Sequence, residues 1–281
     1  MDNFRKDNII RLLSLLTILF ILFFQVFNIQ KPAQVNITTG NSISPTPFNP
    51  FPYKIPQITY KRAYLIMLVG DSMVASLGPN ANLVRQHLIE LYPTHEFVNY
   101  NYGFGATSIE TLPDRLTKET LYNGQKYQSI LSQGFDLIII ESFAYNPLSQ
   151  TNSGEGLAKH MLILDESIKK IIKERPGSAL AIMTPIAPKK PLFAKGVYDL
   201  STEERIRWAN ERISYIERVV DYANENKIPL INVYEKSLTP EGDGNLKYIN
   251  KDDYIHPSAE GVDFMSKVIA DFIFENNIFP E

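Results

Sequence analysis

The sequence predicts an α/β protein in which a parallel sheet lies between two helix layers, and three observations carry that prediction. Apolar runs of strand length, rich in β-branched residues, end abruptly at polar or glycine-containing turns. Amphipathic segments of helix length separate them. The two kinds alternate along the chain, which is the pattern of βαβ units and of strands buried on both faces. At 281 residues, 44% hydrophobic and 21% charged, the chain can bury a substantial core as one domain. Its formal net charge of -3, without a Lys/Arg-rich patch, offers no electrostatic ground for a nucleic-acid partner. The absence of cysteine excludes disulfides, thiolate metal sites, cysteine nucleophiles and a lipidated cysteine anchor.

Two segments precede the alternating region. Ile9 to Ile29 is dominated by Leu, Ile and Phe and has no polar face. As a helix it spans roughly 30 Å, about one bilayer core. Arg5, Lys6 and Arg11 flank its start and only Lys31 follows closely, which leaves the amino terminus in the cytoplasm and everything after the span outside. Residues 1–30 are thus expected to form a cytoplasmic tip and a single-span membrane anchor. Secretion after signal cleavage is the alternative, but Gln25-Val26-Phe27-Asn28 offers no small-x-small cleavage site. Residues 31–60 carry six prolines among Ser, Thr and Asn and are expected to be an extracytoplasmic spacer.

The domain is expected over 61–281. Its first strand is Tyr64-Leu65-Ile66-Met67-Leu68-Val69, closed by Gly70-Asp71-Ser72. Apolar spacing predicts a helix over Leu83 to Leu91, stopped before Pro93. Glu96 to Tyr100 is the second strand, running into Gly103-Phe104-Gly105-Ala106-Thr107-Ser108, where Thr107 or Ser108 can cap a following helix. Asp136 to Glu141 is the third strand, followed by Ala144-Tyr145-Asn146-Pro147. A long amphipathic helix covers Leu157 to Arg175, with Leu162, Ile163, Ile168, Ile171 and Ile172 apolar, and Ala179 to Met183 is strand four. Residues 185–200, rich in Pro and Lys, form an irregular loop near a strand's carboxyl end. Ser201 or Thr202 caps a helix reaching to about Asn226, Ile228 to Val233 is strand five, and Pro257 to Phe274 is the last helix.

Ligands of open α/β sheets bind beyond the carboxyl ends of the strands, and Ser72 stands at such an end. A serine hydroxyl is a weak nucleophile until an oriented base removes its proton. Of the four histidines, His87 and His160 fall within predicted helices and His95 follows Pro93, so each reads as surface or packing. His256 differs. It stands in Asp252-Asp253-Tyr254-Ile255-His256-Pro257, where an Asp three residues earlier can fold back onto the imidazole Nδ1.

These blocks resemble those of the SGNH (GDSL-type) hydrolase family over most of residues 62–276. Gly70-Asp71-Ser72 matches the block that carries the nucleophile. Asn101 to Thr107 looks like the glycine block, whose backbone N–H enters the oxyanion hole; Gly105 is the better match and Gly103 the fallback. Asp253 to Pro257 is similar to the last block. The family's Gly-x-Asn-Asp is replaced by Ala144-Tyr145-Asn146-Pro147, with Asn146 at the expected place but without the glycine and aspartate. The resemblance implies Ser72, Asp253 and His256 as a catalytic triad, and Ser72, Gly105 and Asn146 as oxyanion-hole donors, with Asp71 shaping the turn. It implies a flavodoxin-like three-layer α/β/α domain of about five parallel strands in the order 2-1-3-4-5. It implies ester hydrolysis without metal or organic cofactor, on small-molecule or glycan esters, for example O-acetyl groups of envelope glycans or lipid esters. An O-acyltransferase using the same serine and a non-catalytic glycan-binding domain are the competing expectations. The Gly-x-Ser-x-Gly elbow, Gly-Lys-Ser/Thr and His-Glu-x-x-His motifs are absent, which argues against the chemistries they serve.

Overall fold

The computed structural model describes residues 50–148 and 153–281; the membrane span expected over 9–29 and most of the expected spacer lie outside the described residues. Among the described residues, no helix is long and apolar enough to cross a membrane. The end of the expected spacer lies against the domain. Phe51 N–H and Tyr53 N–H donate to the side-chain and main-chain oxygens of Asn226, each at 2.8 Å, and Leu180 N–H donates to the Tyr53 hydroxyl at 2.9 Å.

Five parallel strands form the sheet: β1 (Ala63–Gly70), β2 (Glu96–Gly103), β5 (Leu137–Glu141), β6 (Ala179–Met183) and β7 (Leu230–Ile231). Their spatial order is β2-β1-β5-β6-β7, which is 2-1-3-4-5 when the sheet strands alone are counted, as expected. Side chains alternate across the sheet and feed two cores. Tyr64, Ile66 and Leu68 face one core, with α2 (Asn82–Leu91) and α7 (Ala259–Glu275) packed over it. Met67 and Val69 face the other, against α3 (Leu112–Thr117) and α4 (Ser153–Glu174). The helix α5 (Thr202–Glu225) contributes to both. Strands buried on both faces explain why they read as continuous apolar runs.

Several local expectations are corrected. Strand five ends at Ile231 and not Val233, because the Asn232 carboxamide accepts the Glu235 N–H at 3.2 Å and starts the short helix α6 (Val233–Lys236). Neither Thr107 nor Ser108 caps a helix with its side chain. Ser108 precedes a short 3₁₀ turn without such a bond, and the Thr107 hydroxyl donates to the Phe104 carbonyl at 2.5 Å. Leu162 is 50% exposed, and Met161 and Leu164 face the core in its place. At α5 the choice of cap falls on Ser201, in a capping box with Glu204. An unexpected antiparallel hairpin, β3 (Thr120–Tyr122) and β4 (Gln125–Tyr127), stands outside the main sheet. Its Asn123-Gly124 turn has both residues at positive φ, the type I′ geometry that Asn-Gly favours.

Candidate active site

The topology brings three loops to one edge. β1, β2 and β5 are neighbours and parallel, so the residues after their carboxyl ends (Ser72, Gly105 and Asn146) share one end of the sheet. Gly70 ends β1 and admits no side chain: a Cβ there would stand 2.4 Å from Val74 and 2.7 Å from the Glu141 Cβ. Ser72 then opens the four-residue helix α1 (Ser72–Ala75). Asp71 caps it, its Oδ1 accepting the Met73 N–H at 2.8 Å. Asp71 also binds Asn146, whose Nδ2 donates to Oδ2 at 2.8 Å. The amide expected at the oxyanion hole is therefore already held by one of its two hydrogens, and the other remains to be donated elsewhere.

The two glycines of the second loop separate cleanly. A Cβ on Gly103 would come within 2.2 Å of the Ala75 nitrogen, and its N–H donates to the Asn101 side chain at 2.7 Å. Gly103 is thus required for the close approach of α1 to β2. Gly105 stands by Ser72: a Cβ there would lie 3.7 Å from Ser72 Cβ. Its N–H donates to the Tyr122 hydroxyl oxygen at 2.7 Å.

His256 and Asp253 form the local pair that their spacing implied. Nδ1 lies 2.7 Å from Asp253 Oδ2, while Oδ1 accepts the Ile255 and His256 N–H groups at 2.8 and 3.0 Å. Burial alone would raise the Asp253 carboxyl, but the bonds from the His256 ring and the two backbone N–H groups outweigh it and hold the carboxyl below its ordinary value. This fixes Nδ1 as the donor and leaves Nε2 free. The 185–200 loop buttresses the turn: Ala194 N–H donates to the Tyr254 carbonyl at 3.4 Å, and Arg205 of α5 fastens the loop through the Phe193 and Tyr198 carbonyls at 3.0 and 2.9 Å. Among the described residues Ser72 Oγ makes no hydrogen bond, so its contact with His256 Nε2 is not closed; such bonds often tighten only with substrate bound.

Buried charge gathers at the carboxyl end of β1. Burial raises the Asp71 carboxyl, opposed by the Met73 N–H, the Asn146 amide, and the attraction of His256 and Arg115, so all four groups act on one point. Glu141, beneath Gly70, is pushed well up by burial and then by the Asp71 charge, which favours its protonated form. Its oxygens accept the Ser142 hydroxyl at 2.6 Å and the Phe143 N–H at 2.9 Å.

Arg115, absent from the sequence-derived set, ties this end together. Its guanidinium donates to the Gly70 carbonyl at 2.7 Å, the Tyr102 carbonyl at 3.0 Å, the Thr111 hydroxyl at 2.7 Å and the Thr107 hydroxyl. Burial lowers it to about 10 despite the attraction of Asp71 and Tyr122, so it stays charged at neutral pH. His160, from α4, binds the Ser142 carbonyl through Nε2 at 2.9 Å; burial lowers it to about 4, so at neutral pH it is an uncharged donor. His95 packs among Tyr60, Tyr64 and Tyr92, and His87 reaches Asp263. Ala106, Phe143 and Tyr254, in the loops that carry Gly105, Asn146 and His256, have φ of 56°, 54° and 52°. Each such non-glycine residue costs about 1 kcal/mol or more and persists only where its surroundings enforce it.

The sheet lies between two helix layers, with Ser72 after its first strand at the switch in strand order and the Asp253–His256 pair in a late loop. Comparison with solved structures narrows this to the fold of the GDSL-type, or SGNH, hydrolases. A lipolytic protein assigned to the G-D-S-L family from Desulfitobacterium hafniense shares 14% identity, with 74% of this chain and 99% of that chain covered and a TM-score of 0.50. An assigned acylhydrolase from Bacteroides fragilis matches at 14% identity, 80% and 93% coverage and a TM-score of 0.51. An acetyl xylan esterase matches at 16%, 75% and 98%, and 0.51. At these identities the likeness establishes the fold. No family model matches the chain, and no curated protein matches its sequence.

Proposed function

We propose that this chain is a serine ester hydrolase, held at a membrane by its N-terminal segment with the domain outside the cell. The observation that carries the reading is the Asp253–His256 pair, 2.7 Å between Oδ2 and Nδ1, acting electrostatically on the Asp71 that precedes Ser72. In the proposed reaction Ser72 Oγ attacks the ester carbonyl while His256 Nε2 takes its proton, and Asp253 stabilises the imidazolium. Negative charge develops on the carbonyl oxygen, which in this reading takes hydrogen bonds from the Ser72 and Gly105 N–H groups and the second Asn146 amide hydrogen. The alcohol leaves with the proton from Nε2. Water, activated by the same nitrogen, then releases the acid and restores Ser72.

The fold neighbours include an acetyl xylan esterase and an acylhydrolase, which supports short acyl groups on glycans, or lipid esters, as the substrate class. The extracytoplasmic placement rests on the apolar run over 9–29 and on the flanking basic residues. The test is a panel of short- and long-chain aryl esters, then acetylated polysaccharides, offered to the purified full chain in detergent. Acyl release to water is the expected result. Transfer to an added glycan hydroxyl instead makes it an acyltransferase, and no turnover of any ester overturns the catalytic reading.

A further inference from the structure

Tyr122 stands inside the site, yet the reaction above does not use it. It is the last residue of β3, beside the Asn123-Gly124 turn of the hairpin. Its hydroxyl oxygen accepts the Gly105 N–H at 2.7 Å. Among the described residues its own proton has only the Gly105 carbonyl, at 3.5 Å, longer than ordinary O–H···O bonds. The ring lies flat on Phe104, centroids 4.4 Å apart at 6°, and Phe104 in turn carries the Arg115 guanidinium at 4.2 Å. A Cβ added to Gly105 would stand 3.1 Å from this hydroxyl and 3.7 Å from Ser72 Cβ, so hydroxyl and nucleophile flank one glycine.

An oxyanion donor must lie about 2.7–3.1 Å from the place the oxyanion will take, not merely near the ground-state carbonyl. Measured from the Gly105 nitrogen, that place already holds the Tyr122 oxygen. A single N–H cannot serve both acceptors with good geometry. We propose that Tyr122 is a place-holder of the oxyanion site and a specificity-determining residue: the ester carbonyl oxygen must displace its hydroxyl from Gly105 before acyl transfer begins. This rests on the ester-hydrolase reading. In the resting site the phenol satisfies an amide that is otherwise left without a partner. The hairpin pairs with no strand of the main sheet and meets the second core through the Tyr122 and Tyr127 rings. Its neighbour Leu121 is 71% exposed, so the hairpin is held chiefly from one side, by Tyr122 and Tyr127 against Phe104.

The test uses the full chain in detergent and compares wild type with Tyr122→Phe, which keeps the ring and its stack but lacks the oxygen. Losing a competing neutral hydrogen bond is expected to raise kcat/KM for an aryl acetate about three- to tenfold. The rate of Ser72 labelling by a fluorophosphonate should rise by the same factor, with the melting temperature little changed. Tyr122→Leu, also without the oxygen, should move both rates the same way should the phenylalanine variant prove unstable. A fall in both rates would mean that Tyr122 donates to the transition state, and unchanged rates would mean that Gly105 is not the donor; either overturns the place-holder and leaves the esterase standing. A wild type that neither turns over nor labels overturns both.

Discussion

The two ends of the sheet are built on opposite principles. At the amino ends of β1 and β2 the chain stacks rings: Tyr64 lies on Phe279 with centroids 4.3 Å apart, and Tyr92, His95 and Phe97 pack around them. At the carboxyl ends of β1, β2 and β5 it buries Asp71, Glu141 and Arg115, and holds Ala106 and Phe143 in the left-handed region. Apolar burial stabilises the first end outright, whereas buried charge is costly and is retained where geometry must be held. One end supplies the stability that lets the other stay strained and polar.

If that division is correct, substitutions at the two ends should separate cleanly. Ser72→Ala removes the proposed nucleophile and should lower ester turnover on the order of 10³-fold or more, with an unchanged melting temperature. Phe279→Ala, at the other end, should behave in reverse. It deletes a fully buried ring and should cost about 3–5 kcal/mol of stability in chemical denaturation, while kcat of the folded fraction stays put.

The third prediction concerns pH. His160 is lowered to about 4 in the fold, against about 6.5 for an unperturbed imidazole, so the unfolded chain binds its proton first as pH falls. The stability that neutral His160 contributes is complete above about pH 6.5 and is lost progressively towards pH 4, on the order of 3 kcal/mol in all. His160→Gln, still able to donate to the Ser142 carbonyl, should flatten the melting-temperature profile over that window. Asn146→Ala is expected to lower kcat about a hundredfold for loss of one proposed oxyanion donor, and it sharpens the comparison. It should leave Asp71 without one of its two hydrogen-bonding neighbours yet hardly touch the aromatic end.

The same contrast explains what was legible in the sequence. Strands buried on both faces stand out as apolar runs, so the strands themselves could be drawn beforehand, while their order was implied only by the resemblance to the SGNH family. Strand five could not be bounded, because Asn232 turns its last apolar residue into the start of a helix. Asp253 and His256 were readable because their contact is local, three residues apart, and Gly105 because it sits next to a strand end. Arg115 was not readable: a single arginine in a short amphipathic segment looks like surface, and only the fold shows it inside, bonded to four residues of β1, β2, the glycine loop and the turn before α3. Tyr122 carried a signal that was passed over, the Asn-Gly dipeptide of a tight hairpin. Its strands are only three residues long and half polar, too short to show a period. For Asn146 the position was legible and the hydrogen bond to Asp71 was not.

Ser72 and the Asp253–His256 pair, far along the chain from it, are proposed to act on one ester carbonyl, and covalent trapping tests this most directly. The full chain in detergent, treated with a fluorophosphonate and mapped by peptide mass spectrometry, should carry a single adduct on Ser72, formed far more slowly in His256→Ala. An adduct on another serine, none at all, or a rate indifferent to His256 would contradict it.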